Sequence, residues 1–233
     1  MKKEILQTLN TYFDHSLNKS DATVEEVKQF CKDAADYNLG TLCVNSEYVA
    51  LAKKELEGKN IRITSTSGFP LGANTTPTKV FEARECALLG ADELDVVMNV
   101  GRFLSGDIDY VIEDLKAVVD EFKSHGEDKL VKVIIETSLI GPANIAKAVE
   151  CVVASGADFA KTTTGFGKHG ARFEDVEAMV KAANGRVRIK AAGGIRTLEE
   201  VYKYIEIGAT RFGGTGAVRI LHEAKKILRG RIK

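Results

Sequence analysis

The sequence predicts one closed (β/α)8 barrel of the TIM type, and three observations predict it. Eight short β-rich runs alternate with segments of helical period, the signature of βα units around a parallel sheet. The chain has 233 residues, close to the roughly 250 that one such barrel consumes. A weak repeat, GADELD from Gly90, GADFAK from Gly156 and GATRFG from Gly208, marks the close of a helix and the opening of the next strand. No Pro- or Ser-rich linker interrupts the pattern, so 1–233 reads as a single domain.

The expected strands are 11–14, 41–44, 61–65, 93–97, 131–136, 158–162, 187–191 and 210–213. Between them lie helical stripes such as Val24, Val27, Phe30, Cys31 and Ala34, and Ile108, Val111, Ile112, Leu115, Val119 and Phe122. Thr23 with Glu26, and Thr197 with Glu200, have the spacing of a capping box, and Pro77 and Pro142 fall where a helix begins. Gly40, Gly90, Gly156 and Gly208 follow helical patterns and are expected to close them in the left-handed conformation.

Composition excludes several function classes. Thirty-three basic residues balance 33 acidic ones, and 44% of the chain is hydrophobic. This argues against a nucleic-acid binder or a polybasic membrane protein. The first residues lack the apolar run of a secretory signal, and nowhere do about 18 apolar residues stand together. A soluble cytoplasmic protein is expected. Cys31, Cys43, Cys86 and Cys151 are scattered, with no spacing that suits a metal, and read as small buried apolar side chains.

The repeat places Asp95, Lys161 and Gly213 five residues after their glycines, near the strand ends where barrels do their chemistry. A lysine closing a buried parallel strand needs a reason, since an unpaired buried charge costs several kcal/mol. Lys190 stands near the end of the next strand, so two inward lysines would come within several ångströms of each other. Like charge and burial both disfavour protonating the pair fully. Bringing a lysine from about 10.4 to about 7 or 8 takes roughly 4 kcal/mol. A neutral amine in a dry pocket is the nucleophile of Schiff-base chemistry. The alternative is that the lysines only pair with Asp95 or Glu136. Lys132 reads as a structural partner of Asp95, though the residues alone do not say which ε-amine is activated.

Glycine clusters point to a phosphate. AAGGIR and RFGGTGAV follow the seventh and eighth strands, where barrels commonly hold one on backbone N–H groups and a helix N-terminus. Gly193, Gly194, Gly214 and Thr215 are the expected cradle, with Arg196 a further candidate.

From Tyr12 to Val218 the chain resembles deoxyribose-phosphate aldolases. The resemblance rests on YFDHSLNKSDAT, SGFPLGANTTPTKVFEA, ELDVVMNVG, KVIIETSL, ADFAKTTTGFG, IKAAGGIRT and ATRFGGTGAV, in that order. It implies a class I, metal-free, cofactor-free lyase that reversibly splits 2-deoxy-D-ribose 5-phosphate into acetaldehyde and D-glyceraldehyde 3-phosphate. On the same resemblance Lys161 is the Schiff-base lysine, Lys190 the lysine that perturbs it, and Asp95 the carboxylate of the proton relay. Gly165, Gly193, Gly194, Gly214 and Thr215 are implied to contact phosphate, and Asp14 and Thr164 to line the sugar site. Cys43 matches a pocket cysteine of some members, and a homodimer is expected. Two features depart from the pattern: Gly214, Thr215 and Gly216 replace a hydroxyl-rich turn, and no tyrosine follows Tyr204. The rival readings are a Schiff-base aldolase for another aldose and a non-catalytic phosphosugar-binding barrel.

Overall fold

A computed structural model describes residues 3–228 and 230. After a short α1 (Lys3–Thr8) the chain runs β1 (Phe13–Leu17), α2 (Val24–Tyr37), β2 (Thr41–Val44), α3 (Val49–Glu55), β3 (Arg62–Ser67), α4 (Thr76–Leu88) and β4 (Glu93–Val97). It continues through α5 (Val100–Leu104), α6 (Ile108–Lys123), β5 (Leu130–Ile134), α7 (Thr137–Ile140), α8 (Ile145–Ala154) and β6 (Phe159–Lys161). The last elements are α9 (Phe173–Ala183), β7 (Arg188–Ala192), α10 (Leu198–Ile207), β8 (Arg211–Gly214) and α11 (Ala217–Leu228). The eight strands close in chain order as a parallel barrel. The (β/α)8 expectation therefore holds, with every strand within three residues of its anticipated bounds. The first strand moves furthest, because a 3-10 turn over Leu9–Tyr12 occupies its expected start.

Local sequence signals explain the helix ends. Both capping boxes form, Thr23 with Glu26 and Thr197 with Glu200. Gly208 closes α10 in the left-handed region with φ +119. Gly40 departs from its expected role: Asn38 supplies the left-handed cap of α2. Gly40 is instead needed for close approach, since a Cβ there would lie 2.6 Å from the Thr11 carbonyl oxygen.

Carrying Asp95 through the eight ladder registers brings it back on position 87, a stagger of eight residues around the barrel. Inward side chains of alternate strands therefore share a level. One layer holds Cys43, Asp95, Lys161 and Gly213; the layer beneath it holds Asp14, Thr64, Lys132 and Lys190. Below that come Thr41, Glu93, Phe159 and Arg211. The barrel axis is thus polar and charged, where branched apolar residues usually fill it.

The apolar core lies in the shell between sheet and helices. Outward residues such as Leu42, Ile63, Leu94, Val96, Val133, Ile189 and Phe212 belong to it, together with Val27, Cys31 and Ala34 of α2 and Val111, Leu115 and Phe122 of α6. All four cysteines are free and buried. One buried ion pair crosses the shell: Lys79 of α4 meets Asp114 of α6 at 2.8 Å and also donates to the Val97 carbonyl oxygen at 3.0 Å. It fixes the end of the strand that carries Asp95. No helix among the described residues is long and apolar enough to cross a membrane.

His15 also sits in the shell, stacked on Phe30 with ring centroids 4.2 Å apart and neither ring nitrogen hydrogen-bonded. Burial pushes its pKa down to about 4, with Asp33 pulling weakly the other way. The unfolded chain takes up a proton near pH 6.5 that the folded chain refuses, so stability is full above pH 6.5 and falls between there and about pH 4. Going from pH 7 to pH 5 should cost the parent about 2 kcal/mol more than His15→Leu. Urea unfolding at the two pH values checks this; equal losses would contradict it.

Candidate active site

The upper layers of the barrel axis collect the sequence-predicted lysines on one carboxylate. Asp95 stands mid-strand on β4, with Lys161 at the end of β6 and Lys190 directly paired with it in the β6–β7 ladder. Lys161 Nζ donates to Asp95 Oδ2 at 2.7 Å, and Lys190 Nζ donates to the same oxygen at 2.9 Å. The two ammonium nitrogens are therefore no farther apart than those two bonds laid end to end. Lys132 Nζ takes the other oxygen, Oδ1, at 3.0 Å. All four groups are buried, and Lys161, at 4% exposure, is the one that touches the mouth.

The three lysines differ in how many carboxylates hold them. Lys132 is bound by Glu93 at 2.7 Å, Asp95 at 3.0 Å and Asp14 at 3.4 Å. Lys190 is bound by Asp14 and Asp95. Lys161 has Asp95 alone among the described residues. Lys132 and Lys161, at the two ends of that ranking, shift in opposite directions. Burial opposes a charge on Lys132, yet Asp14, Asp95 and Glu93 outweigh it and hold its pKa well above the ordinary lysine value. Burial lowers the pKa of Lys161, and Lys190 lowers it further against the pull of Asp95. Burial would raise Asp95, but Lys132, Lys161 and Lys190 together hold it well below the usual carboxylate range.

Asp14 stands lower than the sugar-lining position expected of it. It is fully buried in the layer beneath Lys161, bonding Lys190 through Oδ2 and Arg211 through Oδ1, the latter at 2.7 Å. Glu136 pairs with no lysine among the described residues. Its carboxylate accepts from Ser138 Oγ at 2.6 Å and from both the backbone N–H and the hydroxyl of Thr164, at 3.0 and 2.6 Å. Thr164 Oγ1 in turn accepts from the Phe166 N–H at 3.0 Å. Glu136 itself holds a left-handed φ of +50, a strained backbone beneath the loop that follows Lys161.

The glycine loops meet at the mouth. Thr162 and Thr163 donate to the Ala192 carbonyl oxygen at 3.1 and 2.8 Å, which ties the turn after β6 to the end of β7. A Cβ on Gly193 would lie 2.8 Å from Thr163 Oγ1 and 3.6 Å from the Cα of Gly165, so those two glycines adjoin. The Gly193 N–H reaches the Gly213 carbonyl oxygen at 3.3 Å, which links the β7 and β8 ends. Gly194 is exposed on the same turn. Gly214 ends β8, and Thr215 beside it lines a surface groove with Arg196, Arg219 and His222. Gly213 leaves the space through which Lys190 passes: a Cβ there would lie 2.9 Å from Lys190 Cε. Cys43 completes that layer and bonds Asn18.

Arg211 and Glu93 were not singled out by sequence reasoning. Both carry a usable signal, since each stands two residues before a residue already placed inward, Gly213 and Asp95, and strand parity turns them into the same barrel.

Known proteins resemble the chain in sequence and in fold. The description "DeoC/LacD family aldolase" matches residues 8–222. A deoxyribose-phosphate aldolase of Caldicellulosiruptor saccharolyticus is 43% identical over 95% of this chain and 99% of its own. Deoxyribose-phosphate aldolase 1 of Mesoplasma florum is 46% identical over 91% of this chain and 95% of its own. Among solved structures, a tetrameric deoxyribose phosphate aldolase from Aeropyrum pernix superposes with a TM-score of 0.85 at 28% identity, covering 97% of this chain and 99% of that one. With residues 8–222 matched by the family description and a relative 43% identical over 95% of its length, the chain belongs to the DeoC/LacD aldolase family.

Proposed function

We propose that the chain is a single-domain, cytoplasmic class I aldolase that reversibly cleaves 2-deoxy-D-ribose 5-phosphate into acetaldehyde and D-glyceraldehyde 3-phosphate, without a cofactor. The observation that carries the proposal is Lys161: buried at the barrel mouth, lowered in pKa, and sharing one carboxylate oxygen with Lys190. The names of the similar proteins supply the substrate. The tetrameric relative supports an oligomer, for which a homodimer is the simplest form.

Neutral Lys161 attacks the substrate aldehyde carbon, forming a carbinolamine that loses water to give an iminium. Asp95, through a water molecule, accepts the C3 hydroxyl proton. The bond between C2 and C3 breaks, its electrons pass to the iminium, and glyceraldehyde 3-phosphate leaves. The enamine left on Lys161 is protonated at C2, and water hydrolyses the iminium to release acetaldehyde. The iminium nitrogen keeps a single N–H, and Asp95 Oδ2 accepts the relayed proton beside it. Lys190 stays on that oxygen and passes protons between it and water. Gly165, Gly194, Gly214 and Thr215 hold the phosphate by backbone N–H groups, Gly193, whose own N–H bonds the Gly213 carbonyl oxygen, shapes the turn that carries Gly194, and Thr164, latched by Glu136, fixes the turn beside the sugar. Asp14 supports the sugar site from below through Lys190.

Acetaldehyde and sodium borohydride should leave an adduct on Lys161 detectable by mass spectrometry, and Lys161→Arg should abolish both adduct and turnover, since a guanidinium stays protonated. Parent-level turnover in that variant would refute the role. Comparing deoxyribose with and without its 5-phosphate tests the substrate: equal cleavage of both would favour a different aldose.

Lys190→Leu removes a like charge from Lys161, so its pKa should rise and the rate optimum should move to higher pH; an unmoved profile would contradict the crowding. Gly213→Ala should displace the Lys190 stem and cost on the order of tenfold to a hundredfold in kcat with little loss of thermal stability. Wild-type kcat in that variant would show that the space left by Gly213 is dispensable.

A further inference from the structure

Arg211 enters the barrel from β8 two layers below Lys161, out of reach of anything bound at the mouth. Its Nη1 donates to Asp14 Oδ1 at 2.7 Å and to Thr41 Oγ1 at 2.8 Å, and lies 3.5 Å from Glu93 Oε2. Asp14 divides its two oxygens between Arg211 and Lys190. Lys190 in turn divides its donors between Asp14 below and Asp95 above. The height of the Lys190 ammonium is thus set by a contest between two carboxylates, and Arg211 neutralises the lower one.

We infer that Arg211 is a positioning residue for the aldolase reaction: by binding Asp14 it keeps the Lys190 ammonium on Asp95, beside Lys161, instead of letting it be drawn down the barrel axis. The inference rests on the reading of Lys161 as the Schiff-base lysine. With Arg211 absent, Asp14 has only Lys190 and the 3.4 Å contact of Lys132 to balance it, so Lys190 is pulled downward and crowds Lys161 less.

The charged and titratable groups around Lys161 come from every strand. They are Asp14 on β1, Cys43 on β2, Arg62 on β3, Glu93 and Asp95 on β4, Lys132 on β5, Lys190 and Arg188 on β7, and Arg211 on β8. Arg62 binds Glu93 from the open bottom at 2.9 Å, and Arg188 lies over the Phe159 ring 3.9 Å from its centroid. Neither contacts Asp14 or Asp95. Arg211 is therefore the cation at the bottom of the axis whose loss reaches Lys190 through a single carboxylate.

The test measures how borohydride trapping of acetaldehyde on Lys161 depends on pH in the parent, Arg211→Met, Arg211→Lys and Asp14→Asn. Arg211→Met should move the midpoint upward by about half to one unit, so that trapping falls at neutral pH and recovers at high pH. Arg211→Lys should restore most of the shift. Asp14→Asn, which removes the charge that draws Lys190 down, should move the midpoint the other way. A damaged fold would weaken trapping at every pH and could not produce shifts of opposite sign. A folded Arg211→Met with the parent midpoint overturns the inference, as does a shift of both variants in one direction. If Arg211→Met does not fold, the Asp14→Asn midpoint decides, an unmoved or raised value being the refutation. A parent that gives no adduct on Lys161 sinks the functional reading itself, whereas a parent adduct with unmoved variants sinks this inference alone.

Discussion

Five cationic side chains, Lys132, Lys161, Lys190, Arg211 and, from the open bottom, Arg62, share three carboxylates, Asp14, Glu93 and Asp95, along the axis of one barrel. This imbalance is the constraint on which the site depends. Each buried charge costs several kcal/mol unless it is paired, so a surplus cation weakens the hold on whichever proton is easiest to lose. Shedding one proton from one lysine reduces that surplus. The proposed nucleophile is thus produced by the electrostatics of the whole column, with burial the larger cause and the neighbouring Lys190 the second.

The stagger of the barrel makes that column possible. With a shift of eight residues around eight strands, inward positions of alternate strands fall into levels. The charged groups therefore stack in three successive layers, each carboxylate meeting cations from its own layer or the next. Helices and outward strand residues carry the apolar burial separately. That separation leaves the axis free for chemistry that an apolar barrel interior would exclude. The cost is borne by the fold outside it, including the Lys79–Asp114 pair that steadies the strand under Asp95.

Much of this was legible in the chain before any coordinates. Alternating strand and helix patterns gave the architecture, and the glycine repeat put Asp95, Lys161 and Gly213 at one level because the repeat follows the same stagger the ladder registers show. The boundaries that moved have local causes: the 3-10 turn before β1, and the left-handed Asn38 that took the capping role expected of Gly40. What the sequence hid was partner choice. Glu136 shares strand parity with Lys132 and looks like an equal candidate for a lysine, but its left-handed backbone turns it to Ser138 and Thr164. Arg211 carried the right parity and was passed over, since nothing in a single sequence says that a strand-opening arginine points up the axis to Asp14.

The residues alone do not say which of the three buried lysines is activated, and the count of carboxylates favours Lys161, the proposed nucleophile. Lys132 is held by three, Lys190 by two, and Lys161 by one. A lysine gives up its proton more readily the fewer negative charges face it, so Lys161, with one carboxylate and a lowered pKa, releases its proton before Lys132, whose three carboxylates hold its pKa up. Lys161 also stands one layer nearer the mouth of the barrel than Lys132 and Lys190, which share a level. An amine near the top is reachable by an aldehyde and is also the least compensated, whereas the best-compensated lysine lies where no substrate goes. Position and electrostatics thus favour the same side chain, Lys161, above a Lys132 that its carboxylates hold charged.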